Sequence, residues 1–141
     1  MLPLLPHEGR KSDAPQARSK LMRTIMIVDD DPRLCSALQF KFERAGYHVS
    51  AVGSGRDLLT RLQVQQPDLI ILDLMMPDMS GIEVLEYMRS HPDLSSIPIV
   101  VVSAWGHTAM QVRCRELGAA GFVSKPFSLR ELATRVEEYL A

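Results

Sequence analysis

Five short apolar runs, each followed by a stretch of helical period, are the feature that leaves this chain the fewest folds. The runs are TIMIVD (24–29), YHVSAV (47–52), DLIILD (68–73), PIVVVS (98–103) and GFVSK (121–125). Most are too short for helices and rich in valine and isoleucine, as strands buried on both faces are. The segments between them carry readable helix starts. Pro32 to Ala45 places Leu34, Leu38 and Phe42 on one face, with Asp31 as N-cap, Pro32 at the first helical position and Gly46 as the stop. Ser54 with Asp57, Ser80 with Glu83 and Ser128 with Glu131 have capping-box spacing and open the second, third and fifth helices. The fourth helix is expected from His107 to Leu117, stopping at Gly118.

Five βα units in succession predict an α/β fold, an open doubly wound parallel sheet with helices on both faces and right-handed crossovers. In such a sheet the functional groups gather in the crevice at the carboxyl ends of the strands. Asp29 and Asp30, Asp73, Ser103 and Lys125 stand at those ends. The rest of the chain narrows the class. Its 141 residues suit one domain with one sizeable core. A formal net charge of −1 provides no global field for nucleic acid or an anionic membrane, so neither is expected as a direct partner. No apolar run approaches the roughly 18 residues of a membrane span. The opening MLPLLPHEGR is broken by Pro3 and Pro6, which argues against a secretory signal. Cys35 and Cys114 lie far apart in helix-like segments, with no CxxC, and read as reduced thiols of a cytoplasmic protein. Residues 1–22 lack periodicity and read as a disordered leader, with the folded domain at 23–141. Met22 is an alternative start of translation.

Three carboxylates converging on one crevice need relief. Two at 4 Å repel by about 4 kcal/mol at an effective dielectric of 20. All-oxygen ligands with room for water suit Mg²⁺, with Mn²⁺ as a substitute. Lys125 adds a point charge suited to phosphate oxygens, and Ser103 a small donor. Together these describe a phosphoryl-transfer site, in which the protein supplies positioning and charge neutralisation. Asp73 is the natural nucleophile, because a carboxylate can form an aspartyl phosphate. Other residues read more plainly. Asp31 is an N-cap, Asp78 a solvated turn residue, and His7, His48, His91 and His107 show no ligand spacing.

The ordered set IVDDDP, LDLMMPDMSG, VVSA and SKPF resembles the receiver domain of two-component response regulators, over about residues 23–141. Similarity to the single-domain chemotaxis-type receivers implies a flavodoxin-like (βα)5 sheet of order 2-1-3-4-5. The resemblance implies that Asp73 is the phosphoacceptor. It makes Asp30 a direct metal ligand, Asp29 its partner acid, and the Met75 backbone carbonyl a further ligand. Lys125 would grip the phosphoryl group through a loop with a cis Lys125–Pro126 bond. Ser103 and Phe122 would form the switch, and Met75, Ala104 and Trp105 the rim of the site. A sensor histidine kinase or histidine phosphotransfer protein would supply the phosphoryl group. An output protein or domain would read the face built from the fourth helix, fifth strand and fifth helix.

Other functions fit less well. Hydrolases of the haloacid-dehalogenase type carry a second aspartate two residues after the nucleophile, and Met75 occupies that position here. A receiver that is never phosphorylated is opposed by the intact acidic, hydroxyl and lysine set. No GxGxxG or Walker loop is present. A receiver cut from a longer transcriptional regulator or hybrid kinase is the main alternative to a free-standing one. Winged-helix regulators carry acids before the switch aromatic for dimer salt bridges, whereas this chain has Gly118-Ala119-Ala120-Gly121. A monomer or a weak, phosphorylation-dependent dimer is therefore expected.

Overall fold

The computed structural model describes residues 23–140, so the expected leader and Ala141 lie outside the described residues. Strands and helices alternate: β1 (Thr24–Val28), α1 (Pro32–Arg44), β2 (His48–Val52), α2 (Gly55–Leu62), β3 (Leu69–Asp73), α3 (Gly81–Arg89), β4 (Ile99–Ser103), α4 (Thr108–Glu116), β5 (Gly121–Ser124) and α5 (Leu129–Leu140). All strand pairs are parallel and the order is 2-1-3-4-5. This is the doubly wound sheet read from the alternation, in the flavodoxin-like order that the resemblance implied.

Period-two alternation splits the core into two layers. Met26, Val28, Ile70, Leu72, Ile99 and Val101 face α2, α3 and α4, which contribute Leu58, Leu62, Val84, Leu85, Met88 and Cys114. Ile25, Ile27, Leu69, Ile71, Val100 and Val102 face α1 and α5, which contribute Cys35, Leu38, Phe42, Leu132, Val136 and Leu140. Each layer thus holds one buried, unpaired thiol. Burying one such aliphatic or aromatic side chain stabilises the fold by roughly 1.5–3 kcal/mol.

Two expectations need adjustment. Only β3 and β4 are buried throughout, whereas β2 and β5 are edges and half-exposed. The α1 stripe runs through Cys35, Leu38 and Phe42, and Leu34 is only half-buried. The helix starts follow the caps that were read. Asp31 accepts from the backbone N–H groups of Arg33 and Leu34, and Ser54 from that of Asp57. Ser80 and Glu83 form both halves of a capping box, and Ser128 Oγ accepts from the Glu131 N–H. Helix α1 stops where Gly46 takes φ 103°, a left-handed backbone that disfavours any side chain.

Candidate functional site

The parallel sheet delivers four strand ends to one edge. Asp29 follows β1 and its N–H donates to the Val52 carbonyl at 3.1 Å, extending the ladder by one step. Its side chain is buried, while that of the next residue, Asp30, is exposed. Asp73 closes β3 and is only 5% exposed. Oxygen atoms of Asp29, Asp30 and Asp73 all lie within 4.8 Å of one another. From the end of β5, Lys125 Nζ reaches Asp29 Oδ2 at 3.0 Å and Asp73 Oδ2 at 3.5 Å. The Lys125 N–H donates to the Ser103 carbonyl at 2.9 Å, and the Lys125–Pro126 bond is cis.

The charges are unevenly compensated. Burial pushes the Asp73 carboxyl above its ordinary range and the Asp29 charge adds to this, while the Met75 N–H and Lys125 oppose it. For Lys125, burial alone lowers the ammonium pKa, but the hydrogen bond to Asp29 and the charges of Asp73 and Asp29 outweigh it, so the net shift is upward. The Cys35 thiol donates to the Asp29 carbonyl at 3.3 Å. Burial first, then the Asp29 and Asp31 charges, push that thiol up to about 11. One ammonium facing three carboxylates leaves a surplus of negative charge. A hard divalent cation with oxygen ligands fits this donor set, and an incoming phosphoryl group would meet Lys125.

The remaining expected residues are placed as follows. Ser103 is fully buried, and its hydroxyl accepts from the Trp105 N–H at 3.0 Å, so it serves its own loop. Ala104 is exposed, and Met75 and Trp105 are each 45% exposed. The Met75 N–H donates to Asp73 Oδ1 at 3.2 Å. Phe122 is half-buried and packs against the α2–α4 layer, in register with Val101. Among the described residues no histidine joins a metal-ligating group. His107 instead caps α4, its Nδ1 accepting from the Met110 N–H at 3.3 Å. His7 lies outside the described residues.

Asp78 corrects one expectation and Gly81 was not foreseen. Asp78 is exposed, but it is not merely solvated. Its carboxylate accepts from the N–H groups of Gly55 and Arg56 at 3.3 and 3.0 Å, tying the loop after Asp73 to the first turn of α2. Its pKa is lowered, because these backbone bonds outweigh desolvation. Gly81 donates to the Leu74 carbonyl at 2.9 Å. A Cβ at Gly81 would stand 2.6 Å from the Asp73 carbonyl and 2.7 Å from Leu74 Cα, so the turn that aims Asp73 closes only around a bare backbone. The MSG sequence signalled a helix start but not this close approach.

Comparisons with known proteins show the family. Residues 25–137 match the family model described as the response regulator receiver domain. The chain is 38% identical over 118 residues to the transcriptional regulatory protein GltR of Pseudomonas aeruginosa, covering 84% of this chain and 49% of that protein. It is 37% identical over 120 residues to the phosphate regulon transcriptional regulatory protein PhoB of Rhizobium meliloti, covering 85% of this chain and 53% of that one. The chain therefore spans about half the length of these relatives. The signal receiver domain of a histidine kinase from Syntrophus aciditrophicus superposes with a TM-score of 0.77 at 34% identity, covering 84% of this chain and 89% of that one. The chemotaxis response regulator CheY4 of Vibrio cholerae gives 0.78 at 26% identity, covering 83% of this chain and 98% of that one. A five-stranded 2-1-3-4-5 sheet that gathers its acids and lysine at one edge, matched along most of its length, belongs to the response regulator receiver domain family.

Proposed function

We propose that this signalling domain accepts a phosphoryl group on Asp73 from a sensor histidine kinase or a histidine phosphotransfer protein. The observation that carries the reading is the convergence of Lys125 on Asp29 and Asp73 beside a third carboxylate, Asp30. An Asp73 oxygen attacks phosphorus, the phosphorus–nitrogen bond of the phosphohistidine breaks, and the departing imidazole keeps that electron pair and takes up a proton. Asp29, Asp30, Asp73 and the Met75 carbonyl would hold Mg²⁺, or Mn²⁺ in its place, which supplies charge neutralisation for the phosphoryl oxygens. Lys125 pairs with a phosphoryl oxygen and so partly gives up its bonds to the acids. The domain thus assists its own phosphorylation and dephosphorylation without turning over a separate substrate. Beside Lys125 an open, mainly apolar cavity of about 450 Å³, lined by Leu34, Ala104, Pro126, Phe127 and Leu129, suits docking of the phosphodonor protein.

Ser103 and Phe122 carry the state outward. The Ser103 hydroxyl leaves the Trp105 N–H to donate to the new phosphoryl oxygens, and the half-buried Phe122 ring follows into the vacated space. An output partner then reads the face of α4, β5 and α5. A cytoplasmic location suits these partners, and no helix among the described residues is long and apolar enough to cross a membrane. A second reading, favoured by the greater length of the relatives, some named as transcriptional regulators and one as a DNA-binding response regulator, joins this receiver to a DNA-binding part within one longer chain. A small acyl phosphate with Mg²⁺ should add one phosphoryl group to the native chain and none to Asp73→Asn, read by intact mass. Equal incorporation in both would overturn the assignment. Beryllofluoride, a mimic of the aspartyl phosphate, should shift amide resonances out to residues 104–122, and Ser103→Ala should damp these shifts.

A further inference from the structure

The output face has a charge pattern of its own. Between α4, β5 and α5 lies a cavity of about 340 Å³ whose walls include Arg115 and Gln111 from α4 and Arg135 and Tyr139 from α5, with Gly121 and Phe122 along β5. Residues four apart on a helix share a face, so Gln111 with Arg115 and Arg135 with Tyr139 form two facing pairs. The Tyr139 hydroxyl is fixed by donating to the Ala120 carbonyl at 2.7 Å. A Cβ on Gly121 would lie 2.8 Å from Tyr139 Oη and 3.3 Å from Arg135 Nη2, so both polar tips close over bare backbone.

Neither arginine in the groove forms an ion pair among the described residues. Other arginines nearby are engaged: Arg113 pairs with Glu86 at 3.1 Å, and Arg89 donates to the Glu116 carbonyl at 2.9 Å. Arg115 and Arg135 pair with no carboxylate among the described residues. Two guanidinium groups facing one cavity, with a tyrosine hydroxyl and an amide beside them, form a receptor for carboxylates, because the planar fork donates to both oxygens of one carboxylate. A second copy of this face is a poor complement to the cavity, whose walls hold no acid, Glu131 and Glu138 of α5 lying outside them. It would bring its own Arg115 and Arg135, and the stretch 118–121 that borders the cavity contains no acid.

We infer that the partner of this face presents an acidic segment, whose carboxylates seat between Arg115 and Arg135. The inference rests on the reading of α4, β5 and α5 as the output face. It adds the chemistry of the occupant, and it ties grip to state because Phe122 is a wall of the same cavity. Electrostatic complementarity of this kind sets partner choice and association rate more than total affinity.

The test uses the full chain with hexaglutamate as the probe and hexalysine as the control. Arginine side-chain and backbone resonances are followed by NMR, with and without beryllofluoride. Hexaglutamate should give saturable shifts centred on Arg115, Arg135 and Tyr139, and hexalysine none there. Arg115→Gln and Arg135→Gln should each weaken binding about tenfold, the equivalent of roughly 1.4 kcal/mol, with native-like amide spectra showing that both variants are folded. Localised binding that tightens with beryllofluoride supports both the acidic partner and the state-reading face. Localised binding that ignores beryllofluoride supports the acidic partner and counts against state reading. Shifts scattered over all surface arginines, or undiminished affinity in both glutamine variants, overturn the inference.

Discussion

Asp73 is held in a position that costs the fold something when the site has no cation. Its carboxyl is pushed upward by burial and by Asp29, so the native state holds that proton more tightly than the unfolded chain does. Ionised Asp73 therefore reduces stability at neutral pH, and the penalty shrinks as pH falls below the raised native value and is gone below the unfolded one. Asp73→Asn in the presence of chelator should raise Tm by a few degrees at neutral pH, and the gain should vanish in acid. Thermal melts across pH check both halves. At the same site, Met75 should set a different quantity under the proposed function. Hydrolysis of the aspartyl phosphate needs a water held in line, and the methionine side chain offers it no hydrogen bond. One such bond, at about 1.4 kcal/mol in the transition state, corresponds to roughly tenfold in rate. Met75→Asn should therefore shorten the lifetime of the phosphorylated chain by about that factor, followed as loss of phosphoprotein with time.

At the scale of elements, the loop between β3 and α3 is fixed twice. Gly81 closes it against the Asp73 carbonyl, and Asp78 ties it to the start of α2. Gly81→Ala should cost about 1–3 kcal/mol, because backbone rather than a flexible side-chain tip must move. It should also displace the Asp73 and Met75 amide resonances. Asp78→Ala should cost about 1 kcal/mol, as loss of a helix cap does, and leave phosphoryl acceptance intact. Urea titration compared with phosphorylation yield separates the two. The elements themselves were legible in the sequence. Strand ends fell within a residue or so of the apolar runs, because β-branched runs bounded by Asp, Gly and Pro have few other ways to bury themselves. Caps announced the helices for the same local reason. Asp78 was not legible as a cap, because Gly55 and Arg56 are 23 and 22 residues away and only the folded loop brings them together. Nor was the preference for Cys35 over Leu34 on α1, which depends on how that helix settles against α5 and the sheet. The acid and lysine cluster was foreseen through topology alone, since parallel strands deliver all their carboxyl ends to one edge. The direct contact of Lys125 with Asp29 could be measured only in the structure.

For the whole molecule, a cation held at the acidic cluster would be linked to the fold. A ligand that binds only the native state stabilises it by RT ln(1 + [L]/Kd), about 2.7 kcal/mol at a hundredfold excess over Kd. Mg²⁺ should raise Tm relative to chelator, and Asp30→Asn should shrink the difference. Identical melts for the native chain would count against the acidic cluster as a metal site. The two-layered core adds a separate means of observing the molecule. Cys35 lies in the layer under α1 and α5, and Cys114 in the layer under α4. Both thiols are buried, which limits a thiol-alkylating reagent to openings of their layers, and burial also raises their pKa. Helix α4 fully buries only Cys114, with Met110 half-buried beside it, whereas α1 fully buries three side chains. The two sulfurs thus act as independent clocks, one on each side of the sheet. Alkylation followed by peptide mass should find Cys114 ticking faster than Cys35, and beryllofluoride should change the α4 clock more than the other.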